Sequence, residues 1–141
     1  MIIIDRPPNF DQIKAAFPNA SNPGVLFAYD GCIYNPSGIT VPPALIAHEN
    51  VHLKRQNAPR TAMTPDNWWT LYIHDSEFRY QEELLAHVAE MREIYQVPGD
   101  RNAQARILMS TALRLIAPLY NYQPPRTLQE AMKDLRQEIG K

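Results

Sequence analysis

Along most of this chain the apolar residues fall at helical spacing, and prolines cut the pattern into segments. Ile13, Ala16 and Phe17 share one face across 10–17, which predicts a short helix closed by Pro18. Two β-prone runs follow at 25–29 and 32–35, joined by Asp30-Gly31, a pair suited to a two-residue turn with positive φ. Thr40, then Val41, Pro42 and Pro43, predicts a cap and a proline-tolerant first turn for a helix reaching about Gln56, before Pro59. Thr64-Pro65-Asp66 opens a short helix with Trp68, Trp69, Leu71 and Tyr72, and Asp75 or Ser76 caps a long one reaching about Gln96, before Pro98. Ile107, Leu108, Leu115 and Ile116 mark a helix over 100–117, ended by Pro118. Thr127-Leu128-Gln129-Glu130 has capping-box spacing for a last helix, with Gly140 at its end.

These segments amount to a mostly helical α+β chain with a small antiparallel hairpin. At 141 residues it has the size of one domain, 1–141. Hydrophobic residues at 45% and charged residues at 21% supply a core and exclude wholesale disorder. The formal net charge of -1 lacks the positive excess that phosphate binding demands, so nucleic acid is not an expected partner. No apolar run approaches the roughly 18 residues of a membrane span, and the start at Met1 to Ile4 lacks a basic lead, so neither membrane nor export is expected. A single cysteine, Cys32, forms no internal disulfide and fits a reducing cytoplasm.

The chemistry sits on the helix that the Thr40 signal opens. His48-Glu49-Asn50-Val51-His52 is an HExxH motif, and residues four apart share a helix face. Two imidazoles one turn apart can grip one zinc ion, with Glu49 beside them to deprotonate the water that zinc acidifies. Chance supplies roughly 0.006 such matches in a chain of this composition. The plain alternative is a surface helix whose histidines pack or cap while Glu49 is solvated.

A catalytic zinc takes three protein ligands, so a third is needed. Leu53-Lys54-Arg55-Gln56-Asn57 after His52 offers neither the glycine nor the third histidine of a metzincin. The long helix offers glutamates instead. Glu83 and His87 lie one turn apart on one face with Tyr80 one turn before, which favours Glu83 as ligand and gives His87 a supporting role or that of a satisfied core histidine. Glu82, about 100° around the helix, is the second choice. Glu82, Glu90 and Glu93 otherwise read as a solvated face.

HENVH followed by EELLAH resembles the gluzincin arrangement of zinc metallopeptidases, HExxH with a downstream ExxxD, here with His87 in place of the aspartate. More closely, VLFAYDGCIYNPSG, HENVHLKRQ and EFRYQEELLAH look like small HExxH metallopeptidases encoded by bacteriophages and prophages, over about half of the chain. The resemblance implies a zincin-like fold with a central HExxH helix. It also implies His48, His52 and Glu83 as zinc ligands, Glu49 as catalytic base, and a peptide or protein as substrate in the host cytoplasm. In zincins a sheet edge binds extended substrate, a role open to 25–29 or 32–35 alongside that of an ordinary core hairpin.

Tyr29, Tyr34, Tyr72, Tyr80, His74 and Arg79 are candidates to stabilise an oxyanion, with Tyr80 first for its face. Trp68 and Trp69 read as packing anchors and Cys32 as a small buried residue. The expected function is a zinc-dependent peptidase. The competing class is a zinc-stabilised structural or binding protein, such as a virion or assembly component, that cleaves nothing.

Overall fold

The computed structural model describes residues 1–95 and 100–141. Its elements are β1 (Ile2–Ile3), α1 (Phe10–Ala16), β2 (Phe27–Tyr29), β3 (Cys32–Tyr34), α2 (Pro43–Gln56), α3 (Pro65–His74), α4 (Ser76–Ile94), α5 (Arg101–Leu115) and α6 (Leu128–Ile139). The architecture is α+β, mostly helical, with one small sheet. No helix among the described residues is long and apolar enough to cross a membrane.

The hairpin forms at the expected turn: Asp30 and Gly31 take φ of 45° and 81°, the paired positive values of a tight two-residue connection. The sheet, however, is mixed rather than antiparallel. β2 pairs antiparallel with β3, while β1 adds parallel on the other side, in the order β1-β3-β2. The isoleucines near the start thus serve as a strand, placing Ile2 opposite Ile33. β3 is central and presents no free edge.

Thr64, Asp75, Asp100 and Thr127 each accept a backbone N–H in the first turn of α3, α4, α5 and α6, as their hydroxyl or carboxylate chemistry dictates. α2 starts later than its Thr40 signal. Pro42 is the N-cap and Pro43 the first helical residue, since proline lacks only an N–H that the first turn leaves unpaired anyway. The expected end of α4 at Gln96 lies outside the described residues; the helix is assigned to Ile94, with Tyr95 as cap.

Two apolar clusters hold the molecule. In one, Tyr80, Leu84, Val88 and Met91 of α4 pack against α5 and α6. In the other, Phe10 and Ile13 of α1 and its cap residue Phe17 meet Phe27 of β2 and Trp68, Trp69 and Tyr72 of α3. α4 also lies along α2, so it is buried on two sides. One stripe, 80-84-88-91, is apolar. The other, Glu83-His87-Glu90, has the same i, i+4, i+7 spacing and is polar yet equally buried.

Candidate metal centre

α2 contributes His48, Glu49 and His52, and α4 contributes Glu83, His87 and Glu90; all six are buried, none more than 7% exposed. Burying so many ionisable groups costs several kcal/mol unless each finds a partner, which marks the cluster as a candidate functional site. His48 Nε2 lies 3.2 Å from His52 Nε2 and 3.2 Å from Glu83 Oε2, and His52 Nε2 lies 3.3 Å from Glu83 Oε1. Donors held by one tetrahedral zinc at its usual bond lengths stand about 3.3 Å apart. The two imidazole nitrogens thus stand at a spacing one ion can span, with the Glu83 carboxylate turning one oxygen towards each. Two polar atoms in this knot, Glu83 Oε2 and His52 Nδ1, have no hydrogen-bond partner, which leaves Glu83 with acceptor capacity for a cation.

His48, Glu83 and His87 also place one donor atom each within 4.8 Å of the others, a group able to hold a metal ion. The two sets share His48 and Glu83 and differ in the third donor. His87 Nδ1 donates to the Glu83 carbonyl oxygen at 2.7 Å, so the lone pair it could offer a metal is on Nε2, which lies 3.9 Å from Glu90 Oε1. His52 Nε2 lies closer in, 3.2 Å from His48 Nε2 and 3.3 Å from Glu83 Oε1. Burial, with His48 beside it, lowers the His87 pKa to about 4, so it stays uncharged.

Each donor is anchored. His48 Nδ1 donates to Glu90 Oε1 at 2.5 Å, and Glu90 Oε2 accepts from Arg114 Nη2 of α5 at 2.9 Å. Tyr72 donates its hydroxyl to Glu83 Oε1 at 2.6 Å. The His52 ring lies 5.1 Å from that of Trp68. Such outer partners fix ring orientation and ligand basicity.

Charge is balanced within the cluster. Burial works against protonation of His48, but the neighbouring Glu83 and Glu90 carboxylates overcome it and lift its pKa well above the usual imidazole value. Burial pushes Glu83 upward too, yet the adjacent His52 and His48 hold it well below the ordinary carboxylate range. For Glu49 burial wins over the two histidines, and its pKa rises. Its Oε1 lies 4.0 Å from His48 Nε2, beside the donors.

The expected set His48, Glu49, His52 and Glu83 is brought together; Tyr80 is not. Its ring is fully buried on the apolar stripe of α4, and its hydroxyl donates to Asp134 Oδ2 at 2.7 Å. Tyr80 lies about 60° around the helix from Glu83, and it is the packing of α5 and α6 against that side that takes its ring into the core. Glu82 is likewise turned away, paired with Arg55 rather than aimed at the histidines. Arg79 is committed to carbonyl oxygens of Tyr72, Ile73, Tyr120 and Asn121 and joins α3 to the 118–121 turn.

Glu90 is not on a solvated face; it is 3% exposed and holds His48. Carrying the Glu83–His87 face one further turn would have found it. Tyr120 lines the cleft beside the cluster, and burial with Glu83 nearby keeps its phenol protonated. Only the tertiary fold brings it there. No protein-family model, curated protein or solved structure matches this chain.

Proposed function

We propose that His48, His52 and Glu83 hold a zinc ion and that the protein is a metallopeptidase of gluzincin-like chemistry with Glu49 as general base. The observation that carries this reading is the 3.2 Å approach of the His48 and His52 Nε2 atoms with a Glu83 oxygen within 3.3 Å of each, Glu49 next to them and Glu83 Oε2 lacking a hydrogen-bond partner. A bound zinc ion supplies Lewis-acid polarisation of a carbonyl and brings the pKa of water to about 7. The side chains do the remainder. Glu49, its pKa raised by burial, takes the proton of the attacking water and delivers it to the leaving amine. Tyr120, kept protonated on the cleft wall, is a donor for the developing oxyanion, the task assigned to Tyr80 from sequence. Glu90 and Arg114 fix His48 with Nε2 facing the other donors.

The decisive experiment measures bound metal and peptide cleavage in the same preparation, before and after Glu49→Gln. One zinc per chain in both proteins, with cleavage only in the wild type and lower by roughly 10²–10⁴-fold in the variant, supports the reading. Zinc retained with no cleavage of any peptide would favour the structural or binding class instead. Cleavage that survives the substitution would remove Glu49 from its role.

A further inference from the structure

The inward face of α5 belongs to the core: Leu108, Ala112 and Leu115 are buried against α4 and α6. Its outward face is of another character. Arg101, Arg106 and Arg114 are exposed there, and so are Met109 and Leu113, at 40% and 53%. The helix carries no acidic residue, in a chain whose formal net charge is -1. Beside it, where α4 ends, lies a groove of about 360 Å³. Ile94 of α4 with Ala103 and Ile107 of α5 supply its apolar lining, and Arg106, Ser110 and Arg114, successive turns of one helix face, supply its polar lining.

Both guanidinium groups have donors to spare. Arg106 forms no side-chain ion pair or hydrogen bond among the described residues. Arg114 uses Nη2 for Glu90 Oε2 and Thr111 Oγ1, and Nη1 for Ser110 Oγ. Of its five N–H groups, those on Nε and one on Nη1 are left over, so a second carboxylate can be met without releasing Glu90. Eight residues separate the two arginines, about 12 Å along the helix axis.

An occupant that is apolar against Ile94 and Ile107 and anionic against the arginines gains on both counts. A second copy of the chain laid α5 on α5 sets arginine against arginine. A bilayer surface is too flat to fill a groove between two helices. An acidic helix, with side chains that enter grooves and carboxylates that recur with each turn, matches the surface.

We propose that the α4–α5 groove docks an acidic helix of a partner protein, one with two carboxylates about two turns apart and an apolar side chain between them. The proposal is independent of the metal-peptidase reading, since Arg114 offers the partner only its unused donors.

The test uses the full chain with Glu49→Gln, so that the probe is not cleaved. The probe is an alanine-rich synthetic helix of about 20 residues, with one leucine and a glutamate one turn to either side of it. It should bind at least about fivefold tighter than the same peptide with glutamine in place of glutamate, and weaken as salt rises. Amide shifts on binding should centre on 101–114 and Ile94. Arg106→Glu, a change at an exposed position, should lose about fivefold, and a lysine version of the peptide should bind that variant more tightly than it binds the unaltered arginine surface. Equal binding of the glutamate and glutamine peptides, no binding of either, or shifts centred on His48 and His52 overturns the proposal. A dimer in solution that protects Met109 and Leu113 also overturns it, in favour of a second copy. Attachment to phosphatidylserine vesicles that the glutamate peptide does not displace overturns it in favour of a membrane.

Discussion

Glu90 grips His48 from behind: the carboxylate takes the Nδ1 proton at 2.5 Å and leaves Nε2 facing His52 and Glu83. Arg114 takes the other oxygen of the same carboxylate, so a residue of α5 steadies a residue of α2 through α4. A support of this kind typically accounts for 10–100-fold in metal affinity. Glu90→Gln keeps an acceptor but loses the charge, and zinc affinity measured against a competing chelator should fall roughly tenfold. Glu90→Ala should lose up to about a hundredfold. Wild-type affinity in Glu90→Ala would show that His48 needs no such anchor.

The two adjacent glutamates of α4 should behave oppositely. Glu83 reaches both histidines, whereas Glu82 is 2% exposed but paired with Arg55. Glu83→Gln should abolish stoichiometric zinc uptake. Glu82→Gln should retain zinc and instead lower the unfolding temperature, because it weakens the charged partner of Arg55. Metal analysis beside a thermal melt reads both. Zinc retained by Glu83→Gln and lost by Glu82→Gln would reverse the ligand assignment.

Local signals carried the sequence reading as far as element positions and the meeting of His48, His52 and Glu83. Caps, prolines and the Asp30-Gly31 turn act over a few residues, so their consequences are legible without the fold. His48 and His52 are fixed relative to each other by helix geometry alone, and Glu83 follows from sharing a face with His87. What stayed hidden depends on packing between distant segments. Ile2–Ile3 becomes a strand only because β3 offers it a parallel partner. Gln56 looks like any polar residue near a helix end, yet it is fully buried because the hairpin turn and Ala28 fold over it. Tyr80 was misplaced because sharing a helix with a ligand does not mean sharing its face.

Tyr80 supplies a clean separation of stability from the site. Its hydroxyl bonds to Asp134, and Arg126 lies over its ring at 4.1 Å. Tyr80→Phe keeps the ring and removes one hydrogen bond, so unfolding free energy should fall by about 1 kcal/mol. Zinc affinity and cleavage should stay within twofold of wild type. A large loss of cleavage without loss of stability would return Tyr80 to the catalytic list.

The metal-free protein should have a stability maximum near pH 6.5, and zinc should move that maximum upward. His87 is held neutral in the fold, with a pKa of about 4 against 6.5 in the unfolded chain. As pH falls from 6.5 towards 4 the unfolded state gains a proton that the folded state refuses, which costs about 3 kcal/mol. Glu83, with its pKa held low, adds to the loss below its ordinary value of 4.5, since its stabilisation disappears as pH falls through the folded pKa. His48 acts on the other side. Its raised pKa stabilises the fold fully below pH 6.5, and that contribution fades as pH rises through the folded value. Zinc needs the Nε2 lone pair of His48, so loading releases a proton and tightens as pH rises. Thermal melts from pH 4 to 9, with chelator and with zinc, measure both curves. His87→Gln should flatten the acid limb of the metal-free curve; a limb as steep as that of the wild type would show that another group causes it.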